Sequence, residues 1–420
     1  MAQKLKFGNG TWATKKGSTL AYNDENDRYK PLPFTTTRDS IATRVNKEGL
    51  IEVVGNDVPR IDYKDSADGV LLLENSRSNK VSTSNDFNGS GWNISNLTAT
   101  ANQVISPDGT LNASKLLMTG DGSLRNQSEA SFNDGYAYSI FVKKGNSRYV
   151  TIRSAFFTQS FNCGFDLDNL TAETNGKIED YGNDWYRLSI TKNISGDADR
   201  SGFFYVYLPN SLGSTTSVSG NYAYFYGGQI EDGNYPTSYI PTNGSTVTRQ
   251  ADTANDAGNS EVFNDSEGVL FADIAALAND GTSRRISISA GNTNNNNLVS
   301  LIYGTSNKIS PSIYSNGAFQ MGGDYTLSDQ TQKIKVALKY SLNDAALWVN
   351  GIEVLTDDVV TTPIGLDQIK FEYGNGSNDF YGKTKELGYY DTALTDEELE
   401  YLTSYRSLNE LVTELNLNTL

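Results

Sequence analysis

Residues 221–254 read NYAYFYGGQIEDGNYPTSYIPTNGSTVTRQADTA and join two β-rich halves of a 420-residue chain. Tyr222, Tyr224 and Tyr226 alternate with Ala223 and Phe225. That is the period of a strand carrying a tyrosine row on one face and a smaller apolar face on the other. The strand pattern stops at Gly227-Gly228. Beyond it, Tyr235-Pro236 and Ile240-Pro241 are held towards extended backbone by their prolines, which reads as a stiff linker leaving a finished domain.

Working outward, 420 residues allow two or three domains, each able to bury its own core. The chain has 34 basic and 50 acidic residues, a net charge of -16, which disfavours nucleic acid and anionic membranes as partners. No apolar run approaches the roughly 18 residues that span a bilayer, and MAQKLKFGNG lacks a signal-peptide core, which predicts assembly in a cytoplasm. Cys163 is the single cysteine and shares a strand face with Phe161 and Phe165, so it reads as a core thiol. The chain has no histidine, which removes the usual general base and the commonest zinc ligand and leaves hydrolytic chemistry to carboxylates. Twenty-five tyrosines and 38 glycines beside three methionines point to many short strands and turns.

Apolar alternation then divides the chain. Residues 1–80 are polar, turn-rich and weakly periodic, with short strand candidates at 50–54 and 70–74. Residues 81–242 hold strand patterns at 114–118, 137–143, 149–154, 161–167, 185–191, 203–208 and 222–230, separated by Gly, Asn and Asp turns, as in a sandwich. Residues 243–258 form a Thr/Asn/Asp/Gly linker with a domain boundary near 255. A second strand series runs from 268–274 to 368–373 within residues 259–405. In it, Asn350-Gly351 predicts a tight hairpin needing positive φ at both positions. Thr395, with Glu398 three residues on, predicts a capped helix, and residues 406–420 form a C-terminal tail with leucines too irregular for a heptad.

The runs GGQIE, YPTSYIPT and TRQAD resemble a segment found in bacteriophage tail-fibre, head-fibre and other virion surface proteins. There it closes a sandwich of carbohydrate-binding-module type. TTTRDSIATRVNKEGLIEVVGNDVPRIDY and GVLLLENSRSN resemble the segment such proteins place before their binding domains, which implies that residues 1–80 are an extended virion-anchoring piece. SNDFNGSGWN and GNDWYRLSIT extend the resemblance over 81–242 as a jelly roll. VALKYSLNDAALWVNGIEV with ELGYYDTALTDEEL resembles the laminin-G or concanavalin A-like fold over 259–405. The expected fold class is therefore all-β: two tandem antiparallel β-sandwiches, jelly roll then concanavalin A-like, after an extended N-terminal segment, with a short C-terminal helix. Such folds host many functions, so the ligand must be argued from the site.

Sugar sites pair aromatic faces with amide, carboxylate and guanidinium groups. Trp92, Tyr205 and Tyr207 in the first sandwich and Tyr303, Tyr314 and Tyr325 in the second are the candidate sugar contacts, each with a core position as its plain alternative. Trp185 reads as core. Asn294 and Asn296, in the run 292–297, offer amides to hydroxyls, or simply form a polar hairpin tip. No catalytic residue is assigned: Glu231-Asp232, Asp357-Asp358 and Glu397-Glu398 are adjacent acids that point apart on a strand or solvate a helix. No cofactor is expected, and no motif supports calcium or another metal. The reading is a non-enzymatic virion surface protein binding host or environmental glycans. Its N-terminal segment would contact other virion proteins, and the chain would form a homo-oligomer, trimer before dimer. A purely structural virion protein and a glycan depolymerase are the alternatives, the latter requiring two carboxylates about 5 to 9.5 Å apart in a cleft.

Overall fold

The computed structural model describes residues 3–89, 91–126, 130–156, 160–196, 200–291 and 295–414. It is a mostly β protein of antiparallel sheets with two short C-terminal helices, Asp396–Thr403 and Leu408–Glu414. Among the described residues no helix is long and apolar enough to cross a membrane. The chain forms two compact units interleaved in sequence: Ser40–Val54 with Ser76–Gln250, and Met1–Asp39 with Gly55–Asn75 and Ala251–Leu420. The first is called here the jelly-roll unit and the second the three-segment unit.

In the jelly-roll unit one long strand, Leu111–Asn126, serves both layers. Its residues 114–117 pair with 222–225, and its residues 124–125 pair with 205–206. One layer continues through Tyr222–Asp232, Gly135–Lys144, Trp185–Asn193 and Gly176–Asp180, the other through Ser201–Tyr207, Tyr149–Phe156, Phe161–Asp166 and Thr171–Ala172. Leu116, Tyr138, Ile140, Ile152, Phe204 and Phe225 fill the space between them. Cys163 joins this core, and burial, then the nearby Glu173 carboxylate, pushes its thiol up to about 12. The alternation read in the sequence is therefore the in/out alternation of two packed sheets.

The stretch 221–254 behaves differently from a stiff linker. After the strand Tyr222–Asp232, the chain folds back and covers the outside of its own layer, where Tyr239 packs with Phe141, Trp185 and Tyr226. Polar side chains fasten it. Gln229 accepts from the Ile240 N–H at 2.6 Å, Glu231 accepts from the Thr237 N–H at 3.1 Å, and Arg187 donates to the Thr237 carbonyl at 2.7 Å. Burial raises the Glu231 carboxyl above the ordinary glutamate range, with Arg187, Thr237 and Gln229 opposing that rise. Gly227 has φ of 61° at a bulge opposite Ser139 and Phe141, a left-handed conformation that glycine adopts without a Cβ penalty. Prolines 236 and 241 thus set the geometry of a packed strap.

The three-segment unit packs two sheets. Ile352–Asp357, Asp344–Val349, Ile334–Ser341, Glu267–Ala276, Gly382–Tyr390 and Gln3–Gly8 run in order through the larger sheet. Ala318–Met321, Lys308–Ser315, Leu298–Tyr303, Arg284–Ser289 and Gln368–Lys370 form the smaller one. Leu270, Ile288, Val299, Leu301, Leu338 and Phe371 are part of the core between them. Asn350 and Gly351 take φ of 50° and 83°, the tight hairpin expected. Helix Asp396–Thr403 begins with the expected capping box, Thr395 Oγ1 accepting from the Glu398 N–H at 3.3 Å and the Thr395 N–H donating to Glu398 at 3.0 Å. It seats Leu399 against Phe271 and Trp348 on the other face of the larger sheet.

Residues 3–80 are paired into sheets and not an extended segment. Gln3–Gly8 and Val70–Leu73 each pair with Gly382–Tyr390, and Phe34–Thr37 pairs with Thr253–Asn255. Buried charges tie these pieces together. Asp252 accepts from Arg38 Nη1 at 2.9 Å, from the Glu74 N–H at 2.9 Å and from Arg60 Nη2, while Arg60 Nη1 donates to Glu74 at 2.6 Å. The hairpin of Ala42–Val45 and Ile51–Val54 belongs instead to the jelly-roll unit. The expected linker 243–258 is likewise paired, Val247–Arg249 with Arg77–Asn79 and Thr253–Asn255 with Phe34–Thr37, and the unit boundary falls between 250 and 251. In the tail, Leu408–Glu414 is helical, and Leu415, Leu417 and Leu420 lie outside the described residues.

Candidate functional site

Strand Ser201–Tyr207 buries Phe204 and Val206 in the jelly-roll core, which turns Phe203, Tyr205 and Tyr207 outward, each half-buried. Direct register partners extend this outer face into a row. Asn93 stands opposite Arg125, Arg125 opposite Tyr205, Tyr205 opposite Arg153, and Arg153 opposite Asn162. With strands spaced about 4.8 Å apart, the Asn–Arg–Tyr–Arg–Asn row is about 19 Å long. Asn93 and Asn162 at its two ends are exposed.

Aromatic rings hold Arg125 in place. The Arg125 guanidinium carbon lies 4.4 Å from the Phe203 ring centre and 5.9 Å from that of Tyr205. The Tyr205 and Tyr207 rings stack at 6.1 Å and 15°. Exposed cation–π contacts contribute about 0.5–1 kcal/mol each, enough to orient a guanidinium while leaving its edge free. Arg153 Nε is enclosed and has no hydrogen-bond partner. Burial raises the Tyr207 phenol above its ordinary value, with Arg153 and Ser123 working against that rise, so the ring stays neutral at physiological pH.

The loop after this strand bounds the face. Ser217 Oγ donates to the Gly122 carbonyl at 2.6 Å and accepts from the Leu208 N–H at 3.1 Å, pinning the loop at its root. At Gly164, a Cβ would come within 2.3 Å of the Gly213 nitrogen, so the loop lies directly on the sheet there. The result is a floor of aromatic rings and guanidinium groups with a wall along one side. Its chemistry is stacking, hydrogen-bond donation and attraction of anions, on a chain whose net charge is -16.

The structure brings together Tyr205 and Tyr207 and separates the other candidates. Trp92 is 5% exposed, donates Nε1–H to the Thr83 carbonyl at 2.8 Å, and lies so close to Gly228 that a Cβ there would sit 2.4 Å from its ring. It is a core residue rather than a sugar contact. Tyr303 is 1% exposed and donates to the Ile274 carbonyl at 3.1 Å, which removes it from the surface as well. Tyr325 is half-buried against the core of the three-segment unit. Tyr314 lies on the outer face of the smaller sheet in that unit, beside Phe319. Asn296 is exposed, and Asn294 lies outside the described residues. Trp185 is 1% exposed and donates to the Ile105 carbonyl at 2.9 Å, in the core as read.

Arg125, Arg153, Phe203, Asn93 and Asn162 were not among the sequence candidates. The alternation in SGFFYVY carries Phe203 on the same face as Tyr205, but the arginines meet it only through cross-strand register. Among the described residues no three of His, Cys, Asp and Glu gather as metal ligands.

No family model and no curated protein matches the sequence. Among solved structures, the chain is similar to the CBM40 of the Ruminococcus gnavus IT-sialidase bound to α2,3-sialyllactose, at 16% identity and a TM-score of 0.30 over 36% of this chain and 94% of that one. It is similar to the NanB sialidase of Streptococcus pneumoniae at 16% identity and a TM-score of 0.30, over 34% of this chain and 25% of that one. It is similar also to a heptameric SAP-like pentraxin of Limulus polyphemus at 14% identity and a TM-score of 0.26, over 34% of this chain and 71% of that one.

Proposed function

We propose that this chain is a glycan-binding protein and that the outer face of the jelly-roll unit, centred on Tyr205, docks acidic sugar units. The observation that carries this reading is the cross-strand row in which two arginines flank Tyr205 and two exposed asparagines end the line. Tyr205 and Tyr207 offer flat faces to the apolar side of a pyranose ring. Arg125 offers a planar donor fork that fits a carboxylate, Arg153 adds a second positive charge, and Asn93 and Asn162 reach ring hydroxyls. Binding is reversible and involves no turnover.

An open platform of this size gives weak single-site affinity, so useful adhesion calls for many copies on one particle. Display on a virion surface, which the resemblance of the strap and N-terminal runs implies, in a homo-oligomeric form supplies that multiplicity. The competing reading, a structural protein that uses its folds only for assembly, draws on the burial of Trp92 and Tyr303.

The test is titration calorimetry of the full chain with α2,3-sialyllactose, a uronic-acid oligosaccharide and lactose. Acidic ligands are expected to bind at least about tenfold more tightly than lactose, with Tyr205→Ala and Arg153→Gln each weakening them about tenfold or more. Equal affinity for acidic and neutral sugars, or wild-type binding by both variants, removes the Tyr205 face from the function. No binding of any glycan puts the structural reading first.

A further inference from the structure

The smaller sheet of the three-segment unit sends Ile286, Ile288, Val299, Leu301 and Ile313 into the core, so the residues between them form its outer face. That face is polar at its centre. Lys370, Ser287, Ser300 and Ser312 stand in direct register across four strands. Ser287 and Ser300 are 0% exposed although they face away from the core. Larger side chains therefore roof them.

Arg285, two positions before Ser287 on the same strand, shares that face. Its guanidinium carbon lies 4.0 Å from the Tyr373 ring centre, and Tyr314 contributes to its electrostatic surroundings. Tyr314 and Tyr373 also interact with each other through their hydroxyls. Phe319, 59% exposed, meets Tyr314 edge-to-face at 5.4 Å and extends the aromatic surface outward.

The guanidinium is incompletely satisfied. Both Nε and Nη1 of Arg285 are enclosed and without a hydrogen-bond partner. Arg60, Arg187 and Arg284 also leave Nε unpaired, yet each commits another nitrogen to a carboxylate or carbonyl. Arg285 instead shares a side-chain hydrogen bond with Tyr373 and has Tyr314 beside it. Unpaired donors on a permanent charge are unfavourable, and a ligand carboxylate oxygen that reaches Nε or Nη1 as the surrounding side chains give way would complete them.

We propose that Arg285, framed by Tyr314 and Tyr373 above the serine floor, is a second ligand site and takes the carboxylate of an acidic sugar. The serine hydroxyls beneath would answer ligand hydroxyls, and Phe319 would stack on the sugar. The ligand class rests on the glycan reading above, whereas the residues lie in the other unit and include none of the Tyr205 face.

Stoichiometry tests it. Full-length chain is titrated with α2,3-sialyllactose, and with its methyl ester as the uncharged control, in wild type, Arg285→Gln and the Tyr205→Ala/Arg153→Gln double variant. Two sites per wild-type chain are expected, one in each variant, and at least about tenfold weaker binding of the ester at the Arg285 site. One site in wild type that persists in Arg285→Gln and vanishes in the double variant overturns this proposal and leaves the Tyr205 reading standing. One site lost only in Arg285→Gln does the reverse. Absence of binding in wild type overturns both. Should Arg285→Gln fail to fold, Arg285→Lys replaces it, keeping the charge and losing the Nε and Nη1 donors, with the same loss of one site expected.

Discussion

Both units place arginine among aromatic rings on the outer face of a sheet, but they do so in opposite settings. The Tyr205 face is an open row whose ends, Asn93 and Asn162, are exposed. The Arg285 cluster lies over serines that have no exposure at all. Water competes for every contact on the open row, so its contribution per contact is small and its tolerance of ligand shape wide. Enclosure strengthens each polar contact and makes an unmade one more unfavourable, so the Arg285 cluster should be the more selective of the two. The two proposed sites are thus two solutions to the same recognition problem.

The largest expected effect separates the units that carry these faces. Asp252 receives Arg38, Arg60 and the Glu74 N–H in a buried site of the three-segment unit. Asp252→Ala leaves two buried guanidinium groups short of a counter-charge, and the expected loss of stability is about 3–5 kcal/mol. Hydrogen exchange is the measurement. Amides of Glu267–Ala276 should lose protection by that amount, while those of Gly135–Lys144 keep theirs and sugar binding at Tyr205 survives. Equal losses in both strands would show one cooperative body and dissolve the comparison.

That network also marks the limit of what sequence reading reached. The strands, the Asn350-Gly351 hairpin and the Thr395 cap were legible because each signal is local: period two, a dipeptide, an i to i+3 pair. The roles of Arg38, Arg60, Glu74 and Asp252 were not, because their contacts span up to 214 positions and a polar, turn-rich segment looks alike whether it trails or is woven in. The TRQAD and VPRIDY runs are part of the resemblance, and their physical content is a buried charge cluster. The site divides in the same way. Tyr205 and Tyr207 stood out by type and spacing, whereas Arg125 and Arg153 acquire meaning only from the register that sets them on either side of Tyr205.

A probe already present in the jelly-roll unit sharpens the contrast. Cys163 has 0% exposure and neighbours Arg153 across the strand pair, its own partner being Ile152. Its raised thiol pKa and its burial make it unreactive to thiol reagents until the unit opens. A ligand on the Tyr205 face holds the unit closed, and at about ten times its Kd it should slow labelling about tenfold. The experiment uses Arg285→Gln, so that the other face is silent, and is then repeated in Tyr205→Ala/Arg153→Gln, where the sugar should leave the rate unchanged. Protection in that second variant would mean that the ligand stabilises the jelly-roll unit from somewhere other than the Tyr205 face.

The smallest effect is one of pH, and it is expected at one face and not at the other. Arginine does not titrate in the accessible range, the chain has no histidine, and the Tyr207 phenol is raised by burial, so affinity on the Tyr205 face should be flat from pH 8 to pH 5. The polar face around Arg285 includes Glu372, whose backbone carbonyl accepts from Ser287 and whose carboxylate accepts from Asn255 at 2.6 Å. Lys370 stands 3.4 Å from that carboxylate, and Asp379 adds a like charge. Burial raises the Glu372 carboxyl above the ordinary glutamate range, Lys370 pulling it back. As pH falls through that raised value, Glu372 takes up a proton and a negative charge near the incoming ligand disappears. The ligand carboxylate, more acidic, stays ionised over the same interval. Affinity at Arg285 should therefore rise on acidification, by about twofold for one partly screened charge. Profiles recorded in the two single-face variants should diverge below neutral pH. Parallel profiles would place the ligand away from Glu372 and return Arg285 to a purely structural part in its sheet.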